Sequence, residues 1–141
     1  METATSTVHL KWIDATLMAG MDSRGRSLVI GTDHQALPEW LGLKASDLLL
    51  LAAASCSTYD VINILSKQRE PIKRLEVACS GQQLTEPPYR FVRIHLHYIA
   101  VGPVDPLKLD KAIHLSEEKY CSVINTLRPS VEITHDFEII P

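Results

Sequence analysis

Two cysteines stand in unlike surroundings, and together they could carry redox chemistry. Cys56 lies halfway along an apolar segment, Leu48 to Val61, and Cys121 lies near the start of a more polar one, Leu115 to Val123. In a two-cysteine peroxide-reducing site one thiol attacks the peroxide and the second closes a disulfide onto the oxidised sulfur. The pair predicts a site of this kind. From the residues alone, a small buried hydrophobe at Cys56 stays an open alternative, because free cysteine is often buried.

The place of each cysteine along its helix bears on its reactivity. Ser46 is a candidate N-cap, so Cys56 lies about 15 Å along the helix at roughly 1.5 Å per residue. The positive field of a helix start fades within its first turn, and the carboxyl group of Asp60 follows one turn after Cys56. A thiolate at Cys56 would therefore need a cation from elsewhere in the fold. Cys121 is five positions after a second candidate N-cap, Ser116, and so lies nearer a positive helix end.

The remaining residues of chemical interest have simpler interpretations. Cys79 alternates in register with apolar residues of a strand, so we expect it in the core. His95 and His97 share a strand face at a spacing that some metal sites use, but no supporting motif accompanies them, and a solvated face is favoured. The pair Glu117-Glu118 fits a helix N-terminus. We therefore expect no metal and no other cofactor.

Composition narrows the functional classes. The chain has 141 residues, a formal charge of -3 and three cysteines. One domain is expected, and the absence of a basic excess argues against a nucleic-acid partner. The odd cysteine count favours a reducing compartment, and the N-terminal residues lack a secretory pattern. The longest apolar run, Leu48 to Ala54, is too short to cross a bilayer. A soluble cytoplasmic protein without a membrane partner is predicted.

Periodicity predicts segregated strands and helices, and hence an α+β fold. The first thirty residues indicate a meander with a half-buried first strand, and Thr32 to Leu43 indicate a loop. A helix is predicted that is apolar on every side over its first half, which is typical of a buried central helix. The predicted strands are 8–12, 17–21, 26–31, 75–79, 92–98 and 131–139, and the predicted helices are 46–68, 105–115 and 116–127.

Two long segments resemble the superfamily of osmotically inducible protein C and the organic hydroperoxide resistance proteins (OsmC/Ohr). The first is Ser46-Asp47-Leu48-Leu49-Leu50 leading to Cys56 and on through Tyr59 to Arg69. The second is Ile113 to Val123, which contains Cys121. The resemblance covers most of the chain from Trp12 onward and places each cysteine in its motif.

The resemblance implies a fold and an activity. The fold is a single OsmC-like domain over residues 1–141, with antiparallel sheets around a long central helix, in an intertwined homodimer. Cys56 then resembles the thiol that attacks an organic hydroperoxide, and Cys121 resembles the thiol that resolves it as a disulfide. A dithiol such as dihydrolipoamide would regenerate the pair. The implied function is a thiol-dependent hydroperoxide reductase (peroxidase) in oxidative stress; the alternative is a non-catalytic module that binds a small apolar ligand, or a thiol sensor.

The chain departs from the hydroperoxide-resistance branch at two positions. That branch carries an arginine on an early strand and a glutamate ten residues before its reactive cysteine. Here the early strand carries Lys11, and Ser46 takes the place of the glutamate, with Asp47 beside it as a possible thiolate-tuning group. The sequence therefore resembles the generic OsmC-like branch.

Overall fold

The computed structural model describes residues 1–31 and 42–141, which form two compact units, residues 1–49 and residues 50–141. Ten residues of the loop predicted from Thr32 to Leu43 lie outside the described ranges. The prediction of a single domain over residues 1–141 stays a prediction, and each unit is treated by itself below.

The first unit contains the predicted meander. Strands β1 (His9–Asp14), β2 (Leu17–Met21) and β3 (Ser27–Gly31) pair antiparallel in the order β1-β2-β3. The turn between β2 and β3 forms because Asp22 Oδ1 accepts hydrogen bonds from the backbone amides of Arg24 and Arg26. The predicted half-burial of β1 is wrong for the single chain, because every residue of this strand is exposed.

The second unit is built on a three-stranded sheet with helices. Helix α1 (Ala45–Lys67) enters it from the first unit. The elements that follow are β4 (Arg74–Gln83), β5 (Phe91–Val101), α2 (Pro106–Leu115), a π-helical turn (Ser116–Tyr120), α3 (Ser122–Leu127) and β6 (Glu132–Ile140). The strand order is β4-β5-β6. The predicted antiparallel pairing holds for the other strand pairs and is wrong for β6, which runs parallel to β5 because the helices between them form a crossover.

The core of the second unit lies between β5 and the helices. Strand β5 alternates strictly, and Ile94, Leu96 and Tyr98 on its inner face are fully buried. Helix α1 contributes a stripe at intervals of four residues, which includes Val61 and Leu65. The stripe shows that α1 is buried on one side in the single chain, whereas the sequence predicted burial all round.

The opposite side of α1 is open in the single chain. Leu51 is 53% exposed and Tyr59 is 72% exposed. Helix α1 also has the length and composition of a membrane-crossing helix, a property that core helices of soluble proteins share. Its buried stripe is packed within the core cluster of the second unit.

Of the two helices predicted over 105–115 and 116–127, the first is observed as predicted and the second is not. Asp105 caps α2 as expected, and its Oδ1 accepts a hydrogen bond of 2.9 Å from the amide of Leu107. The predicted helix from Ser116 to Leu127 is interrupted, because Ser116–Tyr120 forms a π-helical turn and Cys121 is extended, with φ −76° and ψ 106°. Helix α3 therefore begins one residue after Cys121.

Candidate active site

Cys56 occupies the middle of α1 and is half-buried against the core. Its Sγ lies 3.9 Å from the hydroxyl oxygen of Ser122, the first residue of α3. On its helix face, Ala52 and Ala53 precede Cys56 and the polar residues Asp60 and Asn63 follow it. One side of the thiol therefore packs on protein while the other meets solvent.

Cys121 is fully buried and caps α3 with its own side chain. Its Sγ accepts a hydrogen bond of 3.4 Å from the amide of Ile124. Burial is the main cause that raises the pKa of the Cys121 thiol to about 12, against the lowering effect of that amide, and a hydrogen bond with Cys56 raises it further. The sequence predicted a more exposed cysteine five positions after a helix start at Ser116. The exposure is wrong, because the thiol is fully buried, and the helix start beside the thiol is that of α3, because the predicted helix is interrupted.

The structure brings the two predicted cysteines together. The sulfur of Cys56, the sulfur of Cys121 and one carboxylate oxygen of Asp60 all lie within 4.8 Å of one another. The two cysteines are 65 residues apart in sequence (121 − 56), so tertiary packing alone produces this approach. Disulfide formation would require the two sulfurs to close from this range to about 2.05 Å. The individual roles of the two thiols stay predictions.

A buried chain of hydroxyl groups reaches the site from the sheet. Ser116 Oγ donates to Asp60 Oδ2 at 2.8 Å and lies 3.2 Å from Ser57 Oγ, which in turn lies 2.5 Å from the hydroxyl of Tyr98. Ser57, Ser116 and Tyr98 are fully buried, and burial is the main cause that raises the pKa of the Tyr98 phenol. The chain fixes the carboxyl group of Asp60 beside the thiols. The sequence singled out Asp60 and Ser116 but not Ser57 or Tyr98, and it gave no sign that the four groups connect, although Ser57 and Asp60 are three apart on one helix face.

A thiolate at Cys56 would need a nearby cation to stabilise it. Among the residues that the structure describes, no lysine, arginine or histidine donates a hydrogen bond to Cys56. Asp47 lies in the first turn of α1, in the other compact unit, and its thiolate-tuning role stays a prediction. Asp60 also lines an open groove of about 350 Å³, whose other lining residues include Ile64, Lys67, Leu115 and Tyr120. The groove could admit a small substrate.

The other sequence candidates lie on the sheet. Cys79 is half-buried on β4 and packs against the core, and burial raises the pKa of its thiol. His95 and His97 do not form a merely solvated face, because both hydrogen-bond Asp136 Oδ1 on β6, at 2.8 and 2.7 Å. Sequence reasoning missed Asp136, because the pairing depends on which strand lies beside β5. The bond with His97 is the larger cause that lowers the pKa of Asp136.

Comparisons with known proteins agree with this architecture. The family model described as OsmC-like protein matches residues 38–136. Protein YhfA of Escherichia coli is 32% identical over 134 residues, which cover 94% of this chain and 96% of YhfA. The crystal structure of an OsmC-like protein from Mycoplasma pneumoniae superposes with a TM-score of 0.84 at 14% identity, covering 99% of this chain and 100% of that one.

A further structural match has a more specific name. The crystal structure of an organic hydroperoxide resistance protein OsmC from Legionella pneumophila, also described as a predicted redox protein, gives a TM-score of 0.72 at 13% identity. It covers 98% of this chain and 99% of its own. At such identities the two structural matches establish the fold. The extent of the family match and the identity with YhfA establish the membership: the chain belongs to the OsmC-like protein family.

Proposed function

We propose that the protein is a cysteine-based thiol redox protein that reduces organic hydroperoxides through Cys56 and Cys121. The observation that carries the proposal is the meeting of both sulfurs and the Asp60 carboxylate within 4.8 Å. Asp60 also lines an open groove with room for a small hydroperoxide, so the groove adjoins the cluster although neither cysteine lines it. A protein of the same fold is named for organic hydroperoxide resistance, which supports an oxidative-stress role.

The reaction balances in three steps. The Cys56 thiolate attacks the outer oxygen of the hydroperoxide, the O–O bond breaks, and the alkoxide leaves as an alcohol after taking a proton; Cys56 becomes a sulfenic acid. The Cys121 thiol then attacks the Cys56 sulfur, the S–O bond breaks, and hydroxide leaves as water with the thiol proton. Finally a dithiol such as dihydrolipoamide reduces the disulfide and is itself oxidised to its cyclic disulfide.

The site's shape fits these roles. Cys56 is half-buried and reaches solvent, as an attacking thiol must, whereas Cys121 is fully buried and meets Cys56 from the protein side. The backbone of Cys121 is extended, between the π-helical turn and α3, so its side chain is not part of a regular helix face.

The experiment is consumption of cumene hydroperoxide with dihydrolipoamide as the reductant. We expect turnover by the wild type, loss of turnover in Cys56→Ser, and a single reduction without turnover in Cys121→Ser. Cys79→Ala is the matched control, because it removes the third thiol and should leave the rate unchanged. Peptide mapping after one equivalent of hydroperoxide should find the Cys56–Cys121 disulfide. Two free thiols after this treatment, or a bridge through Cys79, would refute the proposal.

We also propose that the protein forms a homodimer. In the first unit, Val8, Leu10 and Trp12 are 62–70% exposed, and an apolar cavity of about 480 Å³ lies beside Val8 and Leu10. Exposed apolar surface of this kind marks an interaction site, and a second copy of the chain is the occupant that the family's intertwined dimer suggests. Light scattering at micromolar concentration should return twice the 15.7 kDa chain mass. A monomer mass would contradict this part of the proposal.

A thiol sensor is the second candidate function, and one observation favours it. The raised pKa of Cys121 slows its attack on an oxidised Cys56, so the oxidised form could persist as a signal. A non-catalytic module that binds a small apolar ligand is the related alternative. Slow, stoichiometric oxidation of Cys56 without turnover in the assay above would favour the sensor over the reductase.

A further inference from the structure

A second cluster of chemically active side chains, which shares no residue with the thiol site, lies between α2 and β6. Asp110 and His114 are four residues apart on α2 and so share one helix face, and His135 comes from β6. One ligand atom from each of the three lies within 4.8 Å of the other two. Asp110 Oδ1 is 3.7 Å from His135 Nε2, and Asp110 Oδ2 is 3.4 Å from His114 Nδ1.

Both imidazole rings are held by an oxygen acceptor at one nitrogen. His135 Nδ1 lies 3.0 Å from Glu117 Oε2, and His114 Nδ1 lies 2.9 Å from the backbone carbonyl oxygen of Asp110. A carbonyl or carboxylate oxygen only accepts hydrogen bonds, so each Nδ1 carries the proton and donates. In a neutral imidazole the lone pair is then at Nε2, which is the atom a metal ion takes.

Glu117 supplies the acceptor behind His135. This glutamate is only 8% exposed, and its Oε1 lies 2.9 Å from His135 Nδ1 without meeting the geometry of a hydrogen bond to any described residue. Its backbone carbonyl accepts from Arg128, which holds the π-helical turn in place. A carboxylate that fixes the far nitrogen of a ligating histidine is a recurring feature of metal sites, because it sets the tautomer and the ring orientation.

We propose that Asp110, His114 and His135 bind a divalent transition-metal ion of the zinc class, with Glu117 as the positioning residue for His135. Two imidazoles and a carboxylate suit zinc-class ions better than Mg²⁺ or Ca²⁺, which take oxygen ligands. Three protein ligands leave a fourth position for water or another ligand. The side chains of His114 and Asp110 are 50% and 46% exposed, so an ion reaches the cluster from solvent.

The proposal does not depend on the peroxide chemistry. The thiol site itself groups two sulfurs and a carboxylate within 4.8 Å, and thiolates also bind zinc. The test therefore uses the tag-free full chain with Cys56→Ser and Cys121→Ser, the parent variant. Among the residues that the structure describes, only the histidine cluster then offers a complete set of three. If this parent binds no metal, the hydroperoxide proposal is unaffected. If the wild type reduces no hydroperoxide, the metal proposal is likewise unaffected.

Isothermal titration with ZnCl₂, and visible absorption with Co²⁺, measure the binding. We expect one ion per chain in the parent, with micromolar or tighter affinity. His114→Ala should weaken binding at least about tenfold, because it removes a ligand, and Glu117→Gln should weaken it by about 10- to 100-fold through the ring it positions. His114 is half exposed, so its variant should fold, which circular dichroism checks. At the same zinc concentration, zinc should also raise the melting temperature of the parent by more than that of His114→Ala.

His97→Ala is the matched control, because His97 also pairs with a carboxylate on β6 but lies outside the cluster. It should bind zinc as tightly as the parent. The proposal is overturned if the parent binds no stoichiometric ion, if His114→Ala and His135→Gln bind as well as the parent, or if His97→Ala weakens binding as much as His114→Ala does.

Discussion

Alkylation of the native protein should distinguish Cys121 from an ordinary thiol by a calculable factor. Burial raises the pKa of Cys121 to about 12, from an ordinary value of 9.0. At about pH 8 the thiolate fraction falls from roughly one tenth to roughly one in ten thousand, since each pKa unit above the pH is a tenfold loss. The more basic thiolate is intrinsically more nucleophilic. A Brønsted slope of about 0.4–0.5 over three pKa units therefore raises the rate constant of the thiolate by roughly 15- to 30-fold, which offsets part of the loss.

The net prediction is that Cys121 reacts at least about 30-fold more slowly in the folded protein than in the unfolded one. The assay is timed labelling with iodoacetamide at about pH 8, with and without urea, followed by peptide mass analysis that reports each cysteine separately. Shielding of the sulfur from the reagent adds to the factor, because Cys121 is fully buried. The unfolded chain is the control, because it carries the same thiol with its ordinary pKa.

The pH profile separates the raised pKa from simple shielding. If the pKa of Cys121 is near 12, its labelling rate rises about tenfold per unit through pH 10 and does not level off near pH 9. Because the folded-state pKa lies above the unfolded value, the contribution of this thiol to stability is intact below about pH 9 and is lost as the pH rises toward 12. A labelling rate within about threefold of the unfolded chain, or a plateau near pH 9, would refute the reasoning.

Three further outcomes follow from the described contacts. Cys79→Ala should lower the free energy of unfolding by on the order of 1 kcal/mol in urea titration, because the side chain is only half-buried, and an unchanged peroxide reaction is the companion result. Ser116→Ala should lower the free energy of unfolding by about 1–3 kcal/mol, since it removes the hydroxyl that donates to the Asp60 carboxylate, while the Ser57 hydroxyl keeps Tyr98; no loss would show that water replaces the Ser116 hydroxyl. The pKa of Asp136 should lie below 3.8 by carboxyl NMR titration. The contribution of this carboxylate to stability is then present above pH 3.8 and is lost as the pH falls through the pKa of the folded protein. His97→Ala should raise the pKa of Asp136, and an unchanged pKa would contradict its origin in the hydrogen bond.

The helices and strands were largely predictable, because their periodicities are strong. The helix predicted as 46–68 is observed as Ala45–Lys67, and the closing strand predicted as 131–139 is observed as Glu132–Ile140. Asp105 and the proline after it gave α2 its correct start. Each of these signals is local, so it can be read without knowledge of the partner element.

Features that depend on contacts between distant parts of the chain were not predicted from the sequence. The parallel pairing of β6 with β5 follows from the crossover, which periodicity does not reveal. The interruption of the helix before Cys121 was not predicted either, because no proline or glycine marks the π-helical turn. For the same reason the sequence indicated a more exposed Cys121, and it offered no sign that Glu117 would turn inward to meet His135.

The π-helical turn explains how one short segment serves two clusters. In a regular α-helix, residues five apart point about 140° away from each other, since each residue turns the chain by about 100°. Here the amide of Cys121 donates to the carbonyl of Ser116 at 2.8 Å, which is the wider i→i+5 bond of a π-helix. Ser116 and Cys121 can then both reach α1, the first at Asp60 and the second at Cys56. The residue after Ser116, Glu117, meets His135 on β6. An uninterrupted helix would have to give up the sulfur contact or the hydroxyl contact, so the wider turn is a requirement of the site's geometry.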